Sequence, residues 1–137
     1  MIHNMERQII VSLTSSELKD LILSNDKSGQ HVIVIKFTAT WCGPCKTIKH
    51  VCDEYNKNLP ANVIIAEIDI DHNLDIYMFF KRGSVRVVQG VPTLLAWFPT
   101  PDRDNHTWYL PDNSISGGNI PGVIEFYESV KEEALCN

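Results

Sequence analysis

Cys42 and Cys45 stand two residues apart in the run K-F-T-A-T-W-C-G-P-C-K, residues 36–46. A β-branched stretch precedes them. Gly43-Pro44 then opens a helix-like stretch, where proline is tolerated in the first turn. Cys42 therefore falls at a strand-to-helix turn and Cys45 in the first helical turn. Unpaired N–H groups and the helix dipole favour an anion there. A thiolate at that place is stabilised and becomes a nucleophile near neutral pH. One helical turn brings the sulfurs within bonding reach. Such a pair suits dithiol–disulfide exchange, with Cys42 as the exposed attacker and Cys45 attacking the mixed disulfide to release the reduced product.

Zinc is the competing chemistry, because C-x-x-C supplies half of a four-ligand site. The second half is not found. Cys52 falls on the core face of the same helix, Cys136 is near the chain end, and His50 and His72 have no partner at ligand spacing. No metal is expected. Four cysteines, three of them clustered, are too few for a disulfide-stapled scaffold, and residues 1–7 show no apolar run behind a basic head. A redox-active pair in a cytoplasmic protein is the expectation. A net charge of −5 disfavours nucleic acid as partner, and no apolar run of membrane-spanning length occurs.

The elements that must hold the cysteines can be read outward from them. Residues 31–38 (HVIVIKFT) are nearly continuously β-branched, which predicts a central strand buried on both faces. Ile48, Val51, Cys52, Tyr55 and Leu59 share one face of the helix that follows. Residues 62–70 predict another buried strand, and 73–81 a helix ended by Gly83. Upstream, 8–11 is a short strand, and Thr14 with Glu17 forms a capping box for a helix that stops near Gly29. Downstream, strands are read at 94–98 and 106–110, and Asn119 caps a last helix. The order β-α-β-α-β-α-β-β-α implies an α/β fold, a central mixed five-stranded sheet with helices on both faces. The last two strands should be antiparallel.

The chain resembles the thioredoxin family. W-C-G-P-C-K, Trp41 to Lys46, matches that family's active-site motif in full, after a strand ending F-T-A-T. Residues 65–71 (IAEIDID) are similar to its third strand and Val91-Pro92-Thr93 to its cis-proline segment. The resemblance covers residues 8–98 and the last helix, within one domain spanning 1–137, with 1–7 as a tail. It implies a thioredoxin fold and a protein-disulfide reductase without bound cofactor. The electrons would reside in a Cys42–Cys45 disulfide, recharged by a flavin, NADPH-dependent thioredoxin reductase. A monomer is expected, with disulfide-containing proteins as substrates. The Gly43-Pro44 dipeptide supports the reducing direction by resemblance. A disulfide isomerase or oxidase, or an adaptor using the same fold, is the alternative. The resemblance further implies a cis bond before Pro92 facing the disulfide and shielding the cysteines from metals. Val91, Pro92 and Thr93 would receive an extended substrate, and Trp41 would form the apolar rim of its groove. Lys46 could assist a thiolate. Cys52 reads as a buried small hydrophobe and Cys136 as a spare thiol.

Two departures stand out. Six residues before Cys42, where the family carries a buried aspartate, this chain has Lys36. Strand alternation places Val32, Val34, Lys36 and Thr38 on one face, and family alignment places Glu67 beside Lys36. A buried ammonium is costly, so Lys36 should be paired, snorkelling or neutral. Lys36 and Glu67 are both candidate bases for the second cysteine. The second departure is length. Residues 99–105 and 111–119 read as extended late loops within 99–119, a smaller insertion lies around 85–88, and Gly117 or Gly118 is the glycine expected beside the active site.

Overall fold

The computed structural model describes residues 7–100 and 103–136. The tail expected at 1–7 lies outside the described residues except for Arg7, as do positions 101 and 102 of the first late loop. The elements run β1 (Ile9–Ile10), α1 (Ser15–Ser28), β2 (Val32–Thr38), α2 (Gly43–Asn58), β3 (Val63–Asp69), α3 (Leu74–Lys81), β4 (Thr93–Trp97), β5 (Asn113–Ser116) and α4 (Ile120–Leu135). The five strands form one sheet in the order β1-β3-β2-β4-β5. β1 and β2 each pair parallel with β3, whereas β4 is antiparallel to both β2 and β5.

Local chemistry sets the ends of these elements. The Thr14 hydroxyl accepts from Glu17 N at 3.0 Å and the Glu17 carboxylate accepts from Thr14 N at 2.8 Å, so the expected capping box closes α1. Gly29, at φ +63°, ends that helix in the left-handed region. At the far end of α2, the Arg7 guanidinium donates to the backbone carbonyls of Asn56, Leu59, Pro60 and Val63. It thereby satisfies the Asn56 and Leu59 carbonyls that the helix terminus leaves open and ties them to the start of β3. Asn119 caps α4 by accepting from Gly122 N at 3.1 Å.

β2 is buried along six of its seven residues, which is why it reads as a continuous apolar run. Its two faces serve two cores. Ile33, Ile35 and Phe37 pack with Leu18 and Ile22 of α1 and Ile76 and Phe80 of α3. Val32 and Val34 pack with Ile48 and Cys52 of α2 and Val123, Phe126 and Tyr127 of α4. Lys36 follows Val32 and Val34 by alternation, so it faces the layer that carries the cysteines.

Two expectations for the late chain are corrected. Residues 105–109 form turns, and no strand stands at 106–110. Thr107 N donates to Asp104 O and Leu110 N to Thr107 O, so these amides need no ladder partner. The apolar residues there serve packing: Trp108 is buried and stacks on Phe79 of α3, ring centroids 5.4 Å apart. The fifth strand lies instead in 113–116, inside the stretch that read as an inserted loop. It is an edge strand with one apolar residue, Ile115, so its period-2 signal is weak. The expected small insertion at 85–88 folds back on α3: Val87 N and Val88 N both donate to Phe80 O, at 2.9 and 3.1 Å.

Candidate active site

Parallel pairing of β2 with β3 puts their C-terminal ends at one edge of the sheet, and the loops that leave them form the site. Cys42 is the N-cap of α2, with Pro44 in the first turn. Its sulfur accepts from Cys45 N at 3.2 Å, which directs it at the helix's open N–H groups. Cys42 and Cys45 are joined as a disulfide, their Cα atoms 5.3 Å apart. One expectation changes here. Cys42 is 4% exposed and Cys45 5%, so neither is the exposed member of the pair in this oxidised state. Accessibility does not distinguish the two sulfurs; their neighbours do.

On one side, Val91 O lies 3.7 Å from Cys42 Sγ, and the Val91–Pro92 peptide is cis. Pro92 O accepts from Gly117 N at 2.9 Å, and the Thr93 hydroxyl donates to Gly90 O at 2.7 Å and meets Ser116 Oγ at 3.1 Å. Both glycines left open by the sequence belong to the site. Gly117 adopts φ +89°, which only glycine takes readily. Gly118 packs on Pro44 so closely that a Cβ there would lie 3.1 Å from Pro44 Cβ. Trp41 is 64% exposed, and its Nε1 donates to Asp71 Oδ2 at 2.8 Å. Asp71 was not singled out from the sequence, although its position just past the end of β3 was a usable signal.

On the other side, behind Cys45, a cavity of about 800 Å³ is lined by Lys36, Thr38, Cys45, Lys46, Lys49 and Glu67, among others. Lys36 is paired, as one reading of the sequence required. Its Nζ lies 3.5 Å from Glu67 Oε2, with 5% of the lysine side chain and 30% of the glutamate side chain exposed. The sheet register sets them side by side. At the rim, Lys49 donates to Asp53 at 2.7 Å, and this carboxylate keeps the lysine protonated to higher pH. Lys46 is exposed. Cys52 is fully buried; burial pushes its thiol up, while the Lys36 charge and a hydrogen bond with Tyr127 oppose that. Cys136 is exposed, and His50 and His72 are both solvent-facing. Among the described residues no three His, Cys, Asp or Glu side chains converge as metal ligands.

The comparisons with known proteins converge on the same family. Residues 9–105 match the family described as Thioredoxin. The chain belongs to the thioredoxin family. Mouse thioredoxin is 35% identical over 72 residues, covering 42% of this chain and 64% of the mouse protein. Human thioredoxin is 36% identical over 70 residues, covering 43% of this chain and 66% of the human protein. The chain thus spans slightly less than two thirds of the length of these thioredoxins. The Arabidopsis thaliana thioredoxin-like protein CITRX, chloroplastic, is 31% identical over 99 residues, 72% of this chain and 49% of that protein. Among solved structures, the thioredoxins of Malassezia sympodialis (TM-score 0.63, 20% identity, 97% of both chains) and Fasciola hepatica (TM-score 0.61, 22% identity, 93% of this chain and 99% of that one) share the thioredoxin fold.

Proposed function

We propose that this chain reduces disulfide bonds in protein substrates by dithiol–disulfide exchange. The observation that carries the proposal is the Cys42–Cys45 pair at the N-terminus of α2, facing the cis Val91–Pro92 edge. In the reduced protein, the Cys42 thiolate attacks one sulfur of a substrate disulfide. A Cys42–substrate S–S bond forms, the substrate S–S bond breaks, and the departing thiolate takes a proton from water. Cys45 then loses its proton and attacks Cys42 Sγ, forming the internal disulfide and expelling the second substrate thiolate. Two electrons pass from the cysteine pair to the substrate; of the two protons the substrate thiols take up, one balances the proton lost by Cys45 and the other comes from water.

The roles of the surrounding residues follow from their places. Val91, Pro92 and Thr93 offer a backbone edge along which an extended substrate segment can lie. Trp41, held by Asp71, forms the rim on the other side of Cys42. Gly43 and Pro44 shape the first turn of α2, and Lys46 adds positive charge there. Glu67, partly exposed on the cavity wall behind Cys45, receives the proton that Cys45 releases. A flavin, NADPH-dependent thioredoxin reductase recharges the pair. The protein works as a cytoplasmic monomer, with no group bound beyond its own sulfurs.

Insulin reduction tests this reading. The wild-type protein with dithiothreitol, or with NADPH and a thioredoxin reductase, should accelerate reduction. Cys42→Ser should abolish the effect. Cys45→Ser should trap a mixed disulfide through Cys42, seen as a mass adduct. Turnover by Cys42→Ser equal to wild type would refute the assignment.

A further inference from the structure

Among the described residues, Lys36 is the buried cation, and the exchange chemistry above does not use it. It lies on the face of β2 that packs against α2, the helix that carries Cys45 and Cys52. Cys45 shares its cavity, and its charge is felt at the Cys52 thiol. Its partner Glu67 sits on the solvent side of the pair: 30% of that side chain is exposed, against 5% for Lys36. The carboxylate's field is therefore screened by water more than the ammonium's. The other charges on the cavity are two cations and two anions near its rim. Lys46 and Lys49 come from α2 with Asp53, and Asp69 from the end of β3. All four are exposed or half-buried, and Lys49 is neutralised by Asp53 at 2.7 Å. His72, also on the cavity, faces solvent, and Tyr127 of α4 adds a neutral hydroxyl near Cys52. Of the charges on the cavity, the Lys36 ammonium is the most buried and so the least screened by water.

We infer that Lys36 stabilises the thiolate form of Cys45 relative to its thiol in the reduced protein, easing the proton loss described above, and thereby shifts the Cys42–Cys45 couple toward the dithiol. The disulfide carries no charge on either sulfur, so a buried cation stabilises only the reduced form. Stabilising the reduced form makes any dithiol a weaker reductant. Lys36 is in this sense a positioning residue for charge that sets the driving force of the exchange, whereas the Gly43-Pro44 dipeptide sets the local geometry. The consequence is selective: the chain would reduce strained or exposed substrate disulfides and leave well-buried structural ones intact. The inference rests on the proposed cycling of Cys42 and Cys45.

The test is the equilibrium of the purified protein with glutathione redox buffers, from about pH 6 to 9. Lys36→Met keeps length and removes charge, and replacing a buried ion by an apolar group is often tolerated. It should move the equilibrium about fivefold toward the disulfide at the upper end of the range, which converts to about 20 mV at 29.6 mV per tenfold. The difference should shrink as pH falls and Cys45 in both proteins becomes protonated. Glu67→Gln should move the equilibrium the opposite way, because it unmasks the ammonium. This second variant keeps the test decisive if Lys36→Met fails to fold. A shift of less than about twofold for Lys36→Met, or a shift of Glu67→Gln toward the disulfide or of nothing, would overturn the inference. If the wild-type protein forms no reversible Cys42–Cys45 couple in these buffers, the proposed function fails instead.

Discussion

Arg7 offers the most direct test of how α2 is held. Its Nε donates to Asn56 O at 3.0 Å, one Nη to Val63 O at 2.5 Å, and the other to Pro60 O at 2.9 Å and to Leu59 O. Asn56 and Leu59 lie at the end of α2, where helix termination leaves acceptors open, Pro60 O also accepts from Val63 N at 3.1 Å, and Val63 opens β3, so one guanidinium ties the helix end to the strand that follows. A hydrogen bond to a charged group contributes about 1.5–3 kcal/mol. The four share one guanidinium and are not additive, and burial acts against that charge by lowering the Arg7 pKa. Arg7→Met should therefore cost about 2–3 kcal/mol in all. For 137 residues at about 2.1 cal/mol/K each, the unfolding entropy is roughly 0.29 kcal/mol/K, so Tm should fall by about 7–10 °C. Calorimetry on the oxidised protein measures this, and urea unfolding should show a lower midpoint at unchanged slope. Arg7→Lys should recover less than half of the loss, since one ammonium cannot span four carbonyls. Insulin reduction at 25 °C should stay near wild type, because 16 residues of helix place the cysteines about 24 Å away. A Tm drop below about 2 °C for Arg7→Met would refute the reasoning.

Three further outcomes follow from the same structure. Burial raises the pKa of both Cys52 and Tyr127, so the unfolded chain loses these protons first as pH rises. Their contribution is complete below the unfolded values, near pH 8.5 and 10, and should fall above them by up to about 1.4 kcal/mol per pH unit for each group; urea titrations should show Cys52→Ala and Tyr127→Phe each flattening that alkaline decline. Gly118→Ala would press a methyl 3.1 Å from Pro44 Cβ, and should lower kcat/KM for insulin reduction about threefold or more while the disulfide still forms. Trp108→Ala removes the stack on Phe79 and should cost about 3–5 kcal/mol by denaturant unfolding, with reduction rates within about twofold of wild type.

How far the sequence could be read depended on how strongly each residue's neighbours were local. The capping box at Thr14 and Glu17, the Asn119 cap and the helix opened by Gly43-Pro44 involve partners within three residues, and each stands where the sequence placed it. The buried strands β2 and β3 were equally plain, because a strand covered on both faces must be apolar throughout. β5 was missed because an edge strand needs only one apolar residue. Meanwhile Trp108 and Tyr109 mimicked a strand while serving a contact with α3. The expectation that Cys42 is the exposed sulfur failed for a related reason. One group that lies against its sulfur, Val91 O at 3.7 Å, comes from nearly fifty positions away along the chain.

By itself, the sequence determined the reactive pair, its place at a helix N-terminus, the order of elements and the presence of a lysine where a buried acid was expected. These are matters of residue type and short spacing, which local sterics and hydrogen bonding decide. Only the tertiary structure decided which groups meet across the sheet: Val91 against Cys42, Gly118 against Pro44, Arg7 on the end of α2, and Lys36 sharing a cavity with Cys45 while Glu67 stands toward water. The physical reason is that charge and accessibility at a sulfur depend on everything packed within several ångströms of it, and most of that arrives from distant parts of the chain.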